Sequence, residues 1–202
     1  MAGGYGIFPL YFIHMSEQHN PWKIIGEQNI YDNPWINLTH YDVINPAGGK
    51  GIYGKVHFKG LATGVIVLDQ SLDTYLVKQY RFTLEQYTWE IPQGGAPRNE
   101  DPLDAAKREL LEETGLKATR WSKLLDMHLS NSVTDEFGHI YFATGLSQHK
   151  AMPEDTEDIV VKKVSFEEAY QMVNDGRITD SVSIMAIQKI KLILLEGTLE
   201  IQ

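Results

Sequence analysis

The chain has no cysteine. That excludes a disulfide-stapled scaffold and any enzyme whose nucleophile is a thiol. Basic residues are also scarce: 18 Lys and Arg stand against 27 Asp and Glu in 202 residues, a formal charge of −9. Binding nucleic acid by bare electrostatics needs a basic footprint, so no nucleic-acid partner is expected. Long apolar runs are missing too. The longest tract near the C-terminus, Ile184 to Leu195, is broken by Gln188, Lys189 and Lys191. It reads as an amphipathic helix and not as a membrane span, so no membrane partner is expected. The N-terminal stretch MAGGYGIFPLYFIHM carries no basic residue ahead of its apolar part, which is not the pattern of a signal peptide, and a cytoplasmic location is expected. His14-Met15 leaves open whether residues 1–14 are a cloning remnant before a natural start at Met15.

What is present is enough for a core: 43% hydrophobic and 10% aromatic residues, which excludes a disordered chain. The length allows one domain of ordinary size with a small appended subdomain. An acidic protein can still handle phosphates where cations sit between the two.

Strand-like pieces run from Lys23 to Ile30 and from Ile36 to Val43, before Gly48-Gly49 punctuates the chain. Four short β-rich runs follow: GIYGKVHF, ATGVIVLD, TYLVKQYRF and YTWEIP. Asp69 to Asp73 reads as a hairpin connection between two of them. QGGAPRNE reads as a Gly-rich loop leading into a helix with Asp101 as N-cap, Pro102 at the first position and Gly115 just past the end. Strands are expected again at Trp121 to Leu129, His139 to Thr144 and Ile159 to Val164. Ser165 with Glu168 spells a capping box for a helix ending near Gly176, and Asp180 or Ser181 opens a last helix to about Glu196. The pattern predicts a mixed α/β (α+β) fold with a central sheet flanked by helices. The expected organisation is a tail over 1–21, a β-rich subdomain over 22–58 and a larger domain over 59–202.

Residues 94–116 read GGAPRNEDPLDAAKRELLEETGL. Glu109, Glu112 and Glu113 stand at i, i+3 and i+4, so their carboxylates share one helix face. Like charges at that spacing destabilise a helix by roughly 0.2–0.5 kcal/mol per pair. A solvated acidic face is the commoner fate of such a pair. A hard divalent cation such as Mg²⁺, which bridges carboxylates to phosphates, is the functional one. The spacing of the rest decides between them. Gly94, Glu100, Arg108, Glu109, Leu110, Glu112, Glu113, Gly115 and Leu116 match the Nudix box, G-x5-E-x7-R-E-U-x-E-E-x-G-U with U aliphatic, at every defined position. On average residue usage a chance match in such a chain is on the order of one in a million or rarer.

The chain therefore resembles the Nudix hydrolases. The resemblance implies a loop-helix-loop that binds Mg²⁺, or Mn²⁺ in its place, and hydrolyses a nucleoside diphosphate linked to another moiety. It implies Glu109 and Glu113 as principal metal ligands, Glu112 as a further one with a part in catalysis, and the Gln93 carbonyl completing the site. Arg108 and Glu100 would form an ion pair that orients loop and helix. Outside the box, GIYGKVHF, KQYRFTLEQYTWEIPQGG and YQMVNDGRITDSVSIMAI resemble the ADP-ribose and nucleotide-sugar branch. That implies a nucleotide-sugar substrate and a homodimer built with the N-terminal subdomain.

In this branch Arg81 is a candidate to hold a phosphate or ribose oxygen by a bidentate contact, against the alternative of an exposed strand arginine. Glu90 alternates with Trp89 and Ile91 and so faces away from both, either lining the cleft or lying on the surface. Trp35, Tyr31 and Tyr87 are candidates to stack on a base, although strand aromatics more often belong to the core. ADP-ribose enzymes of the branch typically carry a proline within S-P-G about fifteen residues after the box. Here the segment reads SNSVTDE, with Asn131 at the proline's place, which favours a broader nucleotide-sugar hydrolase. The resemblance places the catalytic base in a late loop, and PEDTEDI supplies Glu157 as metal ligand or base and Glu154 as the alternative base. His128, His139 and His149 lack metal-ligand spacing. Two other readings stay open: a non-catalytic nucleotide sensor, and an RNA-decapping pyrophosphohydrolase of the same superfamily.

Overall fold

The computed structural model describes residues 19–151 and 158–199. Three antiparallel strands come first: β1 (Lys23–Asp32), β2 (Ile36–Ile44) and β3 (Lys50–Phe58), ordered β1-β2-β3. The larger part then runs β4 (Gly60–Val67), β5 (Asp73–Arg81), β6 (Gln86–Glu90), β7 (Gln93–Pro97), α1 (Pro102–Thr114), β8 (Leu116–His128), β9 (Phe137–Gln148), β10 (Val160–Ser165), α2 (Phe166–Asn174) and α3 (Ser181–Leu195). Its strands form two sheets, a four-stranded β7-β4-β9-β8 and a three-stranded β10-β5-β6. β4 and β9 are parallel; every other named pair is antiparallel. This is the expected α+β architecture, with the central sheet divided in two.

The four-stranded sheet is covered on both faces, which is why β4 reads as a continuous apolar run. Val65 and Val67 face α1 and pack with Ala106, Leu110, Tyr141 and Ala143. Ile66, with Leu68 just beyond the strand, faces the other way onto a larger core with Leu76, Ile91, Phe142, Met172, Ile187 and Ile190. Each fully buried Ile or Leu of these clusters contributes about 1.5–3 kcal/mol. α1 is thereby pressed against one side of β4 and β7, and α3 against the other side of the same sheet.

The helix ends follow the expected chemistry. Asp101 accepts hydrogen bonds from the Leu103 and Asp104 N–H groups, and Gly115 closes α1 in the left-handed region at φ 72°. Ser165 accepts from the Glu168 N–H, and Asp180 caps α3 by accepting from the Ser183 N–H.

Two expectations change. The Asp69 turn forms, with the Asp69 carboxylate accepting from the Ser71 and Asp73 N–H groups, but the flanking strands are not partners. β4 lies in one sheet and β5 in the other, so the turn carries the chain between layers and does not close a hairpin. The start of the expected Gly-rich loop is a strand: Gly94 pairs with Thr63 and Gly95 with Ala62 across β7 and β4. Glycine disfavours a strand intrinsically, but pairing with β4 under the helix overrides that preference here.

The N-terminal sheet is fastened to the rest by the β8–β9 connection. The Val56 N–H of β3 donates to the Val133 carbonyl and the Asp135 N–H donates back to Val56, so the loop adds one parallel bridge to the free edge of β3. The side chains Tyr53, Lys55 and His57, on one face of β3, meet the same loop. The Tyr53 hydroxyl donates to the Ser132 carbonyl at 2.5 Å, and Asp135 takes Lys55 at 2.8 Å and His57 Nδ1 at 2.6 Å.

Candidate active site

The residues of the acidic helix face sit over β7 because position 94 has no side chain. A Cβ there would overlap the Glu109 carboxyl group, so glycine lets a carboxylate lie directly on the strand backbone. One turn further, Glu113 is only 1% exposed, and one of its oxygens accepts from the Gln93 N–H at 2.9 Å. Arg108 ties the helix to the following segment. It donates to both Glu100 oxygens at 3.2 and 3.1 Å and to the Gly95 carbonyl at 3.0 Å. The same guanidinium reaches Glu109 at 2.8 Å and Glu112 at 2.9 Å. Hydrogen bonding to Glu100 leads the effects that raise the pKa of Arg108 above its ordinary value, and burial opposes them without prevailing.

Gly94, Gly95, Glu100, Arg108, Glu109 and Glu112 line a cleft of about 1430 Å³, roomy enough for a nucleotide-sized ligand, whereas the buried Glu113 is not among its lining residues. Its lining brings together six residues of the expected set, Trp35, Arg81, Glu90, Gln93, Glu109 and Glu112, from five separate stretches of the chain. Of the two alternatives for Glu90, the structure has it in the cleft wall and not on the surface: it is among the lining residues and is 2% exposed. Arg81 Nε donates to its two oxygens at 2.9 and 3.2 Å, a second Arg81 nitrogen also bonds it, and Thr88 and Gln93 side chains complete its partners. Burial would raise the Glu90 pKa, but the bonds from Arg81 and Thr88 outweigh it and hold the carboxyl below its ordinary value. Arg81 thus lines the cleft while anchored to a buried carboxylate, and is not a loose surface side chain. Trp35 stands at the mouth, 73% exposed, on a turn in which Asn33 accepts from the Trp35 and Ile36 N–H groups. Tyr31 and Tyr87 are not among the lining residues, and Tyr87 packs edge-on against Tyr80 instead.

Glu154 and Glu157 lie outside the described residues. Of the same acidic segment, Asp158 is described, and the Tyr87 hydroxyl donates to it at 3.3 Å. Spacing within the sequence does not find four other charged lining residues: Lys59, Arg98, Glu136 and Asp180. Each comes from a different loop or strand end and becomes a neighbour of the box only through folding. Burial, then the nearby Asp180, raises the pKa of Glu136.

Among the described residues no three acidic or histidine side chains converge as a ready-made metal cluster, since Arg108 lies between Glu109 and Glu112. The donor chemistry nonetheless fits a hard divalent cation: carboxylate oxygens from one helix face beside a glycine strand whose backbone is bare enough to be approached.

Fold and site together place an acidic helix face over a glycine-containing strand beside a charged cleft. Comparison with known proteins makes this specific. The NUDIX domain model matches residues 58–182, and the nucleoside diphosphate sugar hydrolase N-terminal domain matches residues 22–56. The chain belongs to the Nudix family and is a Nudix pyrophosphatase of the nucleoside diphosphate sugar hydrolase group. It is similar to the ADP-ribose pyrophosphatase of Bacillus subtilis, 31% identical over 172 residues, covering 84% of this chain and 92% of that one. It is also similar to the methanol dehydrogenase activator of Bacillus methanolicus, 33% identical with the same coverage. A crystal structure of an ADP compounds hydrolase superposes with a TM-score of 0.79 at 16% identity, over 91% of this chain and 100% of that one, which shows the fold. No helix among the described residues is long and apolar enough to cross a membrane.

Proposed function

We propose that the protein hydrolyses the diphosphate linkage of nucleoside diphosphate sugars, ADP-ribose included, to a nucleoside monophosphate and a sugar phosphate. The observation that carries this is the seating of Glu109 and Glu113 against the Gln93-Gly94 backbone, beside a cleft that Glu109, Glu112 and Arg81 line. Glu109, Glu113, Glu112 and the Gln93 carbonyl would hold Mg²⁺, with Mn²⁺ as a substitute and Glu157 as a further ligand. When bound, such an ion neutralises the diphosphate and favours attack by water.

The chain's own groups supply the rest. Arg81, held in place by Glu90, directs its free guanidinium edge at a phosphate or ribose oxygen. Arg108 keeps α1 and the residue 95–100 segment in register, so that the carboxylates keep their spacing. Trp35 offers an exposed ring at the mouth for a base or sugar to pack against. A carboxylate of the 154–157 segment, Glu157 or Glu154, takes a proton from the attacking water, whose oxygen bonds to one phosphorus as the bridging P–O bond breaks. Both reaction products leave as phosphate monoesters.

The reading includes a homodimer and a cytoplasmic location. The N-terminal sheet supports the former, since Ile24, Ile25, Ile30, Tyr31 and Ile52 are all exposed on it. The deciding experiment is phosphate release, coupled to a phosphatase, from ADP-ribose, ADP-glucose, UDP-glucose and GDP-mannose with Mg²⁺. Turnover of more than one compound is expected, in keeping with Asn131 where a proline is typical. Binding without any turnover across the panel would replace the hydrolase with a nucleotide sensor.

A further inference from the structure

The cleft has two walls of different origin. One is α1 with β7. The other forms where the N-terminal sheet meets the β8–β9 loop, with Trp35 and Lys59 from the sheet side and Leu129 and Glu136 from the loop side. The bonds that hold this second wall together converge on Asp135, which does not itself line the cleft. Its carboxylate accepts from the Phe58 N–H at 2.9 Å and binds Lys55 and His57 as described. Phe58 adjoins Lys59, whose N–H donates to the Trp35 carbonyl at 2.9 Å, and Asp135 adjoins Glu136. A short, unbroken chain of bonds therefore runs from Glu136 through Asp135, Phe58 and Lys59 to Trp35.

We infer that Asp135 is a positioning residue for substrate. It fixes the separation of Trp35 and Glu136 across the mouth and so sets how tightly the part of the ligand remote from the metal-binding carboxylates is held. A carboxylate suits the task better than an amide. Both of its oxygens accept, one from the backbone N–H of Phe58 and the other from two side-chain donors, whereas an asparagine would turn an NH₂ group toward one of those donors. An isolated surface ion pair would matter little. This one is backed by the two-way backbone bridge between Val56 and the loop. The inference rests on the hydrolase reading above, because it concerns the substrate of that site.

The test compares wild type with Asp135→Ala, Asp135→Asn and Tyr53→Phe. Steady-state turnover of ADP-ribose is measured alongside calorimetric binding of its methylene-bridged, non-hydrolysable analogue and amide hydrogen exchange. For Asp135→Ala, KM and Kd should rise about tenfold with kcat within about twofold of wild type, the signature of lost uniform binding. The Val56 and Asp135 amides should exchange faster while those of β4 and β9 keep their protection. Asp135→Asn should fall in between. A changed kcat with unchanged KM, or faster exchange with unchanged KM and Kd, overturns the inference. If Asp135→Ala also loses protection in β4 and β9, Tyr53→Phe decides, since it removes only the bond to Ser132. A KM raised about two- to threefold is then expected, within what one neutral hydrogen bond supplies, and no change overturns the inference. A wild type that binds the analogue without turnover overturns the hydrolase reading alone, and the Kd ratio still decides this one. A wild type that does neither overturns both.

Discussion

Glu113 illustrates how one side chain can be both framework and chemistry. Its burial and its bond from the Gln93 N–H make it part of the packing between α1 and β7, while its place on the acidic face makes it a metal ligand of the proposed reaction. Glu113→Gln separates the two roles, because the amide oxygen can still accept from Gln93 but the negative charge is gone. Turnover should fall by about a hundredfold or more while the thermal unfolding midpoint moves little, the pattern expected when electrostatic stabilisation alone is lost. Near-normal phosphate release from a folded variant would refute the ligand assignment. The neighbouring glycine makes the converse case. Gly94→Ala changes no charge, but its Cβ would have to displace the Glu109 carboxylate. Turnover should drop by about two orders of magnitude, as a displacement near 1 Å can produce, with circular dichroism of the folded protein unchanged. The sequence points to both residues through their spacing. It does not point to Glu136 or Asp180, because a lone acid far along the chain carries no mark of the cleft it will face.

At the scale of elements, legibility follows the range of the forces involved. Asp101, Gly115, Ser165 and Asp180 act on their own helix ends within a few residues, and all four sit where local rules put them. The β7 strand and the split between sheets depend on partners remote in sequence, and no property of QGGAP or of Asp69–Asp73 announces them. The β3–loop junction is of this second kind, and it has a pH signature. Burial would raise the Asp135 pKa from 3.8, but the bonds from His57, Lys55 and the Phe58 N–H prevail and hold it well below the usual carboxylate range. A depressed folded-state value contributes stability that is complete above the unfolded value and is lost as pH falls toward the folded one. The stability difference between wild type and Asp135→Asn should therefore be constant above about pH 5 and shrink below about pH 4. Urea unfolding across that range measures it, and a difference independent of pH would show that the charge contributes nothing.

For the whole molecule, the formal charge of −9 has an uneven geography. Glu90, Glu100, Glu109, Glu112, Glu136 and Asp180 all line one cleft, where Arg81, Arg98, Arg108 and Lys59 offset them only in part. A cation that binds the folded state and not the unfolded chain must stabilise it. Mg²⁺ at roughly ten times its dissociation constant should add about 1–2 kcal/mol and raise the melting temperature by a few degrees. The rise should vanish in Glu113→Gln and be absent with Na⁺ at equal ionic strength. Calorimetry reads this without substrate, so it tests the cation site independently of turnover. An equal rise in the variant would mean that the ions screen the surface generally and are not held at the box.

The sheet β1-β2-β3 has two outer strands, and each is blunted in its own way. The loop bridge occupies part of the β3 edge, while register shifts at Ile24–Gly26 and Asn29–Tyr31 interrupt the regular pairing of β1. An uninterrupted edge rich in isoleucine would be a template for open-ended strand addition and insoluble aggregates. With one edge capped and the other irregular, the exposed isoleucines can meet a partner through their side chains with less risk of runaway backbone pairing.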